Sequence, residues 1–315
     1  MSADAFARPL PAPLRIRGCD LRFGSRTYVM GIINVTPDSF SGDGLLSEDG
    51  VAAATVAADF AAAAAVEAAV EAAVEAAVAQ AMRMVGEGAD IIDVGGESTR
   101  PGHDPVSEPE ELARVSRVVG AIRARSPDLP ISIDTSKIRV AEAALAAGAD
   151  IVNDVTAVIA GAALARVAAS HGAPYILMHS RAVPVYDDVV REVVEDLRAA
   201  LLRAREAGCP EGRLIVDPGI GFGKTAEQNL QLLRNLGALH ELGCPVLLGT
   251  SRKSTIGKVL DLPVAERLEG TLATTALGIA ALVDIVRVHD VAANVRAARM
   301  SDAIIRGGWH DPAAG

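Results

Sequence analysis

The side chains of this chain that could do chemistry gather at the ends of eight short apolar runs. The run 29–35 holds Asn34 and leads into Thr36. The run 91–94 leads into Gly95-Gly96-Glu97-Ser98-Thr99-Arg100. The run 131–133 ends at Asp134, the run 151–152 at Asn153-Asp154, the run 175–178 at His179, and the run 214–216 at Asp217. The run 246–248 leads to Ser251-Arg252-Lys253-Ser254, and the run 285–288 holds Arg287 and ends at His289-Asp290. Parallel strands buried on both faces read as continuous apolar runs. In a parallel barrel, function sits where such strands end. Eight runs that hand polar groups to one end therefore describe a single polar site, and an enzyme.

The residue types suggest what that site binds. Asp134, Asn153 and Asp217 each place an acceptor after Ile or Val. A desolvated carboxylate needs donors, and two acids plus an amide suit a flat heterocycle bearing amino and ring N–H groups. Taken alone, each would serve as a helix cap, as Asp134 before Thr135-Ser136 could. Asn34 lies inside an apolar run and needs partners, so it either caps a loop or meets a ligand. Arg100 follows Gly95-Gly96, which allows close backbone approach. Its planar fork suits a carboxylate or phosphate, or else it is a solvated charge. Lys253, Arg287 and His289 supply cations beside the last two strands, where phosphate commonly binds in such barrels. Arg252 is equally an ion-pair partner, and His289 a core histidine. Phe40, beyond the turn Thr36-Pro37-Asp38-Ser39, is an aromatic on a loop that could act as a lid or stacking group. Asp217-Pro-Gly-Ile-Gly-Phe-Gly-Lys224 looks like a phosphate loop but lacks the Walker spacing. It reads as a strand–helix turn, with Phe222 a second aromatic wall. No zinc-like spacing occurs, so the expected metal is Mg²⁺, held by Asn34 and substrate oxygens.

The elements that must position these groups alternate strand and helix. That alternation implies parallel strands with right-handed crossovers. Eight strands fit a closed (β/α)8 TIM barrel, an α/β fold, better than an open doubly wound sheet. Glycines 88, 148, 172, 208 and 243 each follow a helical stretch and precede a strand, as a residue closing a helix in the left-handed conformation should. Ser107 with Glu110 and Thr225 with Gln228 fit capping boxes. Residues 1–13 read as a loose Pro/Ala-rich arm, and 14–310 as a single catalytic domain. Within it, residues 14–28 form a hairpin plugging the barrel bottom. Residues 52–80 are low-complexity, with Glu67, Glu71 and Glu75 and Val66, Val70, Val74 and Val78 at intervals of four. No Gly or Pro interrupts 51–85, which predicts one Ala-rich helix of about 35 residues, about 50 Å long, that either projects past the barrel end or folds back as two helices despite lacking a breaker. Its glutamates should face solvent. Its barrel-facing stripe should lie near Met82, Met84 and Val85, with residues 66–77 clear of the barrel.

Composition excludes several classes. The chain has 315 residues, a net charge of −10 and 3% aromatics. No basic stripe suits nucleic acid. No run approaches the roughly 18 apolar residues of a membrane span. The N-terminus has no apolar signal core. Cys19, Cys209 and Cys244 are far apart and lack a metal spacing, which fits thiols in a reducing cytoplasm.

Seven stretches, in order, resemble the dihydropteroate synthase family. They are Asn34-Val-Thr-Pro-Asp-Ser-Phe-Ser41, Asp93-Val-Gly-Gly-Glu-Ser-Thr-Arg-Pro-Gly102, Ile133-Asp-Thr-Ser-Lys137, Asn153-Asp154, Asp217-Pro-Gly with Gly221-Phe-Gly-Lys224, Ser251-Arg-Lys-Ser254 and Arg287-Val-His-Asp290. The resemblance implies condensation of 6-hydroxymethyl-7,8-dihydropterin diphosphate with 4-aminobenzoate, giving 7,8-dihydropteroate and diphosphate in folate biosynthesis. It assigns the pterin to Asp134, Asn153, Asp217 and Lys253. The diphosphate and Mg²⁺ go to Asn34, Arg287 and His289. The 4-aminobenzoate side, where sulfonamides compete, goes to Phe40, Thr99, Arg100, Pro101, Phe222, Lys253 and Ser254, with the loop 38–43 closing over it. Asp134, Lys253 and Arg287 would carry catalysis, in a cytoplasmic homodimer.

Three features depart from the family pattern. The Ala-rich tract lengthens the first helix. Loop one reads Ser41-Gly-Asp-Gly44 where the family has Ser-Asp-Gly-Gly. Only residues 180–185 separate His179 from Tyr186-Asp-Asp188. Two rivals follow from the same residues. A methyltetrahydrofolate methyltransferase domain would share the acceptors but not need Lys253, Arg287 and His289. A non-catalytic paralogue, using its long helix for partners, would not need the motifs intact.

Overall fold

The computed structural model describes residues 10–35, 56–97 and 106–307. Phe40, Thr99, Arg100, Pro101 and the loop 38–43 lie outside them. The chain opens with a hairpin of β1 (Leu14–Ile16) and β2 (Cys19–Leu21), paired antiparallel. Eight strands follow: β3 (Tyr28–Asn34), β4 (Ile91–Gly95), β5 (Ile131–Asp134), β6 (Ile151–Asp154), β7 (Tyr175–Met178), β8 (Leu214–Asp217), β9 (Leu247–Leu248) and β10 (Ile285–Val288). They pair in parallel in the order β8-β7-β6-β5-β4-β3-β10-β9. A parallel bridge between Val216 and Val246 joins β8 to β9 and closes the barrel.

The helices between and after the strands are α1 (Val56–Gly86), α2 (Glu108–Arg125), α3 (Ile138–Ala147), α4 (Ala163–Ser170), α5 (Val189–Glu206), α6 (Ala226–Arg234), α7 (Ser254–Leu260), α8 (Leu268–Ala280) and α9 (Val291–Ile305). Side chains alternate across each strand. The outward set, including Val29, Ile133, Val152, Leu177, Val216 and Val286, packs against the helices in one core. The inward set begins apolar. Tyr28, Met30, Ile91, Ile151, Ile176, Ile215, Leu247 and Ile285 fill the barrel bottom together with Leu14, Ile16, Leu21 and Phe23. The hairpin thus plugs the bottom, as expected.

Two residues further along, about 6.6 Å at 3.3 Å per residue, the inward side chains turn polar. Ile91 is followed by Asp93, Ile151 by Asn153, Ile215 by Asp217 and Ile285 by Arg287. The apolar plug therefore becomes a polar floor within one step of the pleat.

The five expected glycines, 88, 148, 172, 208 and 243, all have positive φ. Thr225 and Gln228 form the predicted capping box on α6. The box expected at Ser107 and Glu110 is absent, because the Ser107 side chain makes no cap bond. Glu110 pairs with Arg114 one turn along instead.

The Ala-rich tract is a single continuous helix of 31 residues, about 46 Å long, and Glu67, Glu71 and Glu75 are exposed. Its buried stripe is Val74, Ala77, Ala81 and Met84, with Met82 and Val85 half-buried beside it. Spacings of three and four carry that face back along the helix. Residues 66–77 therefore do not stand clear of the barrel: Val74 and Ala77 are core. Further out, Glu67 accepts from the Arg117 Nη1 of α2 at 2.6 Å.

Candidate active site

The polar floor is built on a buried ion triad. Arg287 points inward from β10. Its Nε donates to Asp93 Oδ2 at 2.6 Å and its Nη2 to Asp134 Oδ2 at 2.7 Å. Asn153 Nδ2 also donates to Asp93 Oδ2, at 3.2 Å. Asp93 is fully buried and Asp134 nearly so. One guanidinium serves two buried carboxylates, which leaves one negative charge uncompensated unless an acid holds a proton. Burial pushes the Asp134 carboxyl up to about 7, reinforced by the charge of Asp93 and only partly opposed by Arg287. Arg287 is raised above its ordinary range, because its two carboxylates outweigh the cost of burial. One oxygen of each acid, Asp93 Oδ1 and Asp134 Oδ1, is buried with no hydrogen-bond partner among the described residues. Such an orphan acceptor requires an explanation, and a donor-bearing ligand supplies one.

Asp217 stands at the end of β8, across the floor. Its Oδ1 accepts from the Gly219 N–H at 2.7 Å. Burial raises it, against the pull of Lys253. Lys253, just before α7, donates to the Ile220 carbonyl and lies 4.5 Å over the Phe222 ring. Burial lowers the Lys253 ammonium to about 8, although Asp217 attracts it. The barrel mouth then opens into two recesses. A cavity of about 280 Å³ is lined by Asn34, Phe222, Lys253, Arg267, Arg287 and His289. Another, of about 450 Å³, is lined by Asp134, Thr135, Ser180, Arg181 and Phe222. Phe222 forms part of both walls. His289 Nδ1 meets Ser251 Oγ at 3.0 Å.

The fold therefore brings Asn34, Asp134, Asn153, Asp217, Phe222, Lys253, Ser254, Arg287 and His289 to one end of the barrel. Arg252 is an ion-pair partner: its Nε donates to Asp290 Oδ2 at 2.9 Å. Asp154 faces away from the barrel interior and binds the Tyr175 hydroxyl at 2.6 Å and Thr156.

A sequence model of the pterin-binding enzymes matches residues 64–289. The dihydropteroate synthase of Clostridium beijerinckii is 46% identical over 294 residues, covering 93% of this chain and all of that one. This chain belongs to the dihydropteroate synthase family. The crystal structure of the Clostridium difficile dihydropteroate synthase in the presence of pteroic acid is similar at a TM-score of 0.79 and 46% identity, over 90% of this chain and 98% of that one. The Xanthomonas albilineans dihydropteroate synthase with 4-aminobenzoic acid gives 0.78 and 41%, over 91% and 94%.

Several residues that shape this family member's site carried no role in the sequence reading. Asp93 was legible in principle. An acid inside one apolar run and a base, Arg287, inside another each need a partner in the core, although their order along the chain does not say which. Lys137 closes the family motif Ile133-Asp-Thr-Ser-Lys137. Its Nζ donates to Glu97 Oε2 and Glu111 Oε2, each at 2.5 Å, and to the Val106 carbonyl at 2.9 Å. Glu97 and Val106 flank the segment that carries Thr99, Arg100 and Pro101, so one ammonium ties both its ends to α2. Arg267 lines the smaller cavity and donates to the Leu262 and Arg252 carbonyls, both at 3.0 Å. No motif marks it.

The short stretch after His179 packs against the glycine turn after β8. The Tyr186 hydroxyl donates to the Gly223 carbonyl at 2.9 Å. A Cβ on Gly219 would lie 1.7 Å from the His179 carbonyl oxygen, and one on Gly223 would lie 2.0 Å from that of Arg181. Both glycines have positive φ. Close approach, rather than phosphate cradling, accounts for these two.

Proposed function

We propose that this chain condenses 6-hydroxymethyl-7,8-dihydropterin diphosphate with 4-aminobenzoate, releasing diphosphate and 7,8-dihydropteroate. The observation that carries the reading is the buried, unpartnered Asp134 Oδ1 on a floor shared with Asn153, Asp217 and Lys253. These groups match a flat heterocycle with several N–H donors and ring acceptors. Asp134 Oδ1 and the free face of Asp217 accept from the pterin, and Lys253 donates to it. Phe222 walls the 4-aminobenzoate side together with Ser254. The family resemblance assigns Phe40, Thr99, Arg100 and Pro101 to that side as well; they lie outside the described residues. A sulfonamide is expected to compete there.

The chemistry follows from the charges. The bond between the pterin methylene carbon and the diphosphate oxygen breaks, and its electron pair leaves with diphosphate. Carboxylates that accept from the pterin N–H groups favour the positive charge left on the ring and methylene. Cations fixed beside the leaving oxygens favour the negative charge. Arg287 offers its remaining Nη1, and Asn34 and His289 complete that side. The aniline nitrogen then bonds to the methylene and loses its proton. No side chain acts as nucleophile.

Mg²⁺ fits this site only as a companion of the diphosphate. The described lining of the smaller cavity contains no carboxylate, and no cluster of three or more metal-ligating acid, His or Cys side chains occurs among the described residues. Mg²⁺ typically keeps waters and substrate phosphates as ligands, so the Asn34 carbonyl with diphosphate oxygens is a reasonable donor set. The ion would neutralise charge on the departing group.

The proposal extends to a cytoplasmic homodimer. All three cysteines are free, which suits a reducing compartment, and no described helix is long and apolar enough to cross a membrane. Exposed Leu277 on α8 and Met300 and Ile304 on α9 offer apolar surface for a second copy, which sedimentation would detect. The direct test of activity is diphosphate release with both substrates and Mg²⁺. Diphosphate release that yields no 7,8-dihydropteroate when 4-aminobenzoate is present would overturn the reading.

A further inference from the structure

Behind the Phe222 wall lies a polar chain that the proposed chemistry does not use. Lys224, at the end of the glycine turn, points back under it. Its Nζ meets the Gly219 carbonyl at 3.0 Å, the Phe222 carbonyl at 3.1 Å and His179 Nδ1 at 2.8 Å. An ammonium has three N–H donors and no acceptor, so all three are used. His179 Nδ1 must then be unprotonated. Its proton sits on Nε2, which faces Asp196 Oδ2 of α5 at 3.1 Å. Asp196 is held in turn by Arg181 Nε at 2.9 Å, and Arg181 also bonds Glu192 at 2.8 Å.

His179 is fully buried. Burial, with the charge of Lys224 beside it, keeps it neutral, down to about 4. Burial also pulls Lys224 down to about 7. Three acceptors around Nζ nonetheless make the charged form the one the contacts fit.

We propose that Lys224, seated on His179 and Asp196, is a positioning residue that fixes the Phe222 ring as the wall of the 4-aminobenzoate side. The inference rests on the functional reading above and names how that wall is set. Other bonds hold the rest of the turn. Asn229 Oδ1 accepts from Gly221 N–H at 2.9 Å and its Nδ2 donates to the Thr225 carbonyl at 2.9 Å. Asp217 sits on its own strand. Losing the ammonium frees the Phe222 carbonyl directly, whereas it reaches Asp217 only through its charge and through Gly219, whose N–H still holds that carboxylate, so the effect on Phe222 should exceed that on the pterin floor.

The test compares Lys224→Met, His179→Leu and His179→Asn with the parent chain. Each is first checked for a cooperative melt. The KM for 4-aminobenzoate is then measured, alongside calorimetric affinity for 6-hydroxymethylpterin. Lys224→Met is expected to raise that KM at least tenfold while pterin affinity changes less than threefold. His179→Leu, which removes the acceptor for Lys224 together with the Nε2–H bond to Asp196, should behave likewise. His179→Asn places an amide oxygen where Nδ1 was and should recover most of the loss. If Lys224→Met does not melt cooperatively, the two His179 variants carry the same comparison.

An unchanged KM in both Lys224→Met and His179→Leu overturns the proposal. So does a parallel loss of pterin affinity, which would make the contact merely a fold contact, and so does equal damage in His179→Asn and His179→Leu. An inactive parent chain would instead defeat the functional reading, so the two failures are distinguishable.

Discussion

Replacing Arg287 by alanine attacks the floor where its energetics are most exposed. Arg287 bridges Asp93 at 2.6 Å and Asp134 at 2.7 Å, and the two acid side chains are 0% and 3% exposed. Removing one partner of a buried ion pair costs about 3–5 kcal/mol, because the remaining charge is left without compensation. For a chain of this size that lowers Tm by roughly 5–10 °C. The cost should depend on pH in a definite direction. Without the guanidinium, Asp134 holds its proton to still higher pH, starting from about 7 in the parent. The folded variant then binds more protons than the unfolded chain, so its stability falls as pH rises from about 4 through that range. The parent shares that fall up to about pH 7, so urea or thermal melts at pH 5.5, 7 and 8.5 should show a deficit relative to the parent that grows mainly between pH 7 and 8.5. Turnover, measured well below the variant's melting temperature, should fall about 10²- to 10³-fold, as for loss of one charge-stabilising donor. Arg287→Lys should recover part of the stability but less of the turnover, since a single ammonium cannot span both acids in the same fork. A Tm unchanged at pH 8.5 would show that the acids do not depend on Arg287. A loss of turnover below tenfold would place the anion site elsewhere.

Asp217→Asn keeps an oxygen for the Gly219 N–H but can turn an N–H₂ toward the pterin, exchanging an acceptor for a donor. Calorimetry with 6-hydroxymethylpterin should show affinity reduced by about tenfold or more, with 4-aminobenzoate binding little changed; equal affinity would remove Asp217 from the pterin site. Pterin affinity in the parent should rise as pH passes about 7, where Asp134 loses its proton, and fall above about 8, where Lys253 loses its own. Lys253→Arg should abolish the upper limb, and a flat profile would refute both assignments. Deleting residues 66–77 removes the buried Val74 and Ala77 and turns the preceding helix by about 120° at 100° per residue, so it should lower Tm clearly. Glu75→Lys on the exposed face should stay within about 0.5 kcal/mol of the parent; equal effects would mean that the stripe does not pack as described.

Local rules carried most of the architecture. Eight apolar runs with polar ends are legible one by one, because strands buried on both faces stay mostly apolar along their length and turn polar where they meet the site. Helix ends at glycines 88, 148, 172, 208 and 243 are equally local, since the left-handed backbone is a property of one residue. The strand-end acceptors Asp134, Asn153 and Asp217 were visible for the same reason.

What sequence order left open were relations across the barrel. Asp93 and Arg287 lie on strands separated by β3, and only closure of the sheet sets them against each other. Lys137 and Lys224 sit in motifs, yet their roles depend on which carbonyls and carboxylates of distant segments surround each ammonium. The Ala-rich helix shows the boundary between the two kinds of information. Its continuity follows from alanine's propensity and the lack of a breaker. Its repeat of four, which drifts around the axis, leaves the buried face undetermined until α2 and the barrel wall select Val74, Ala77, Ala81 and Met84.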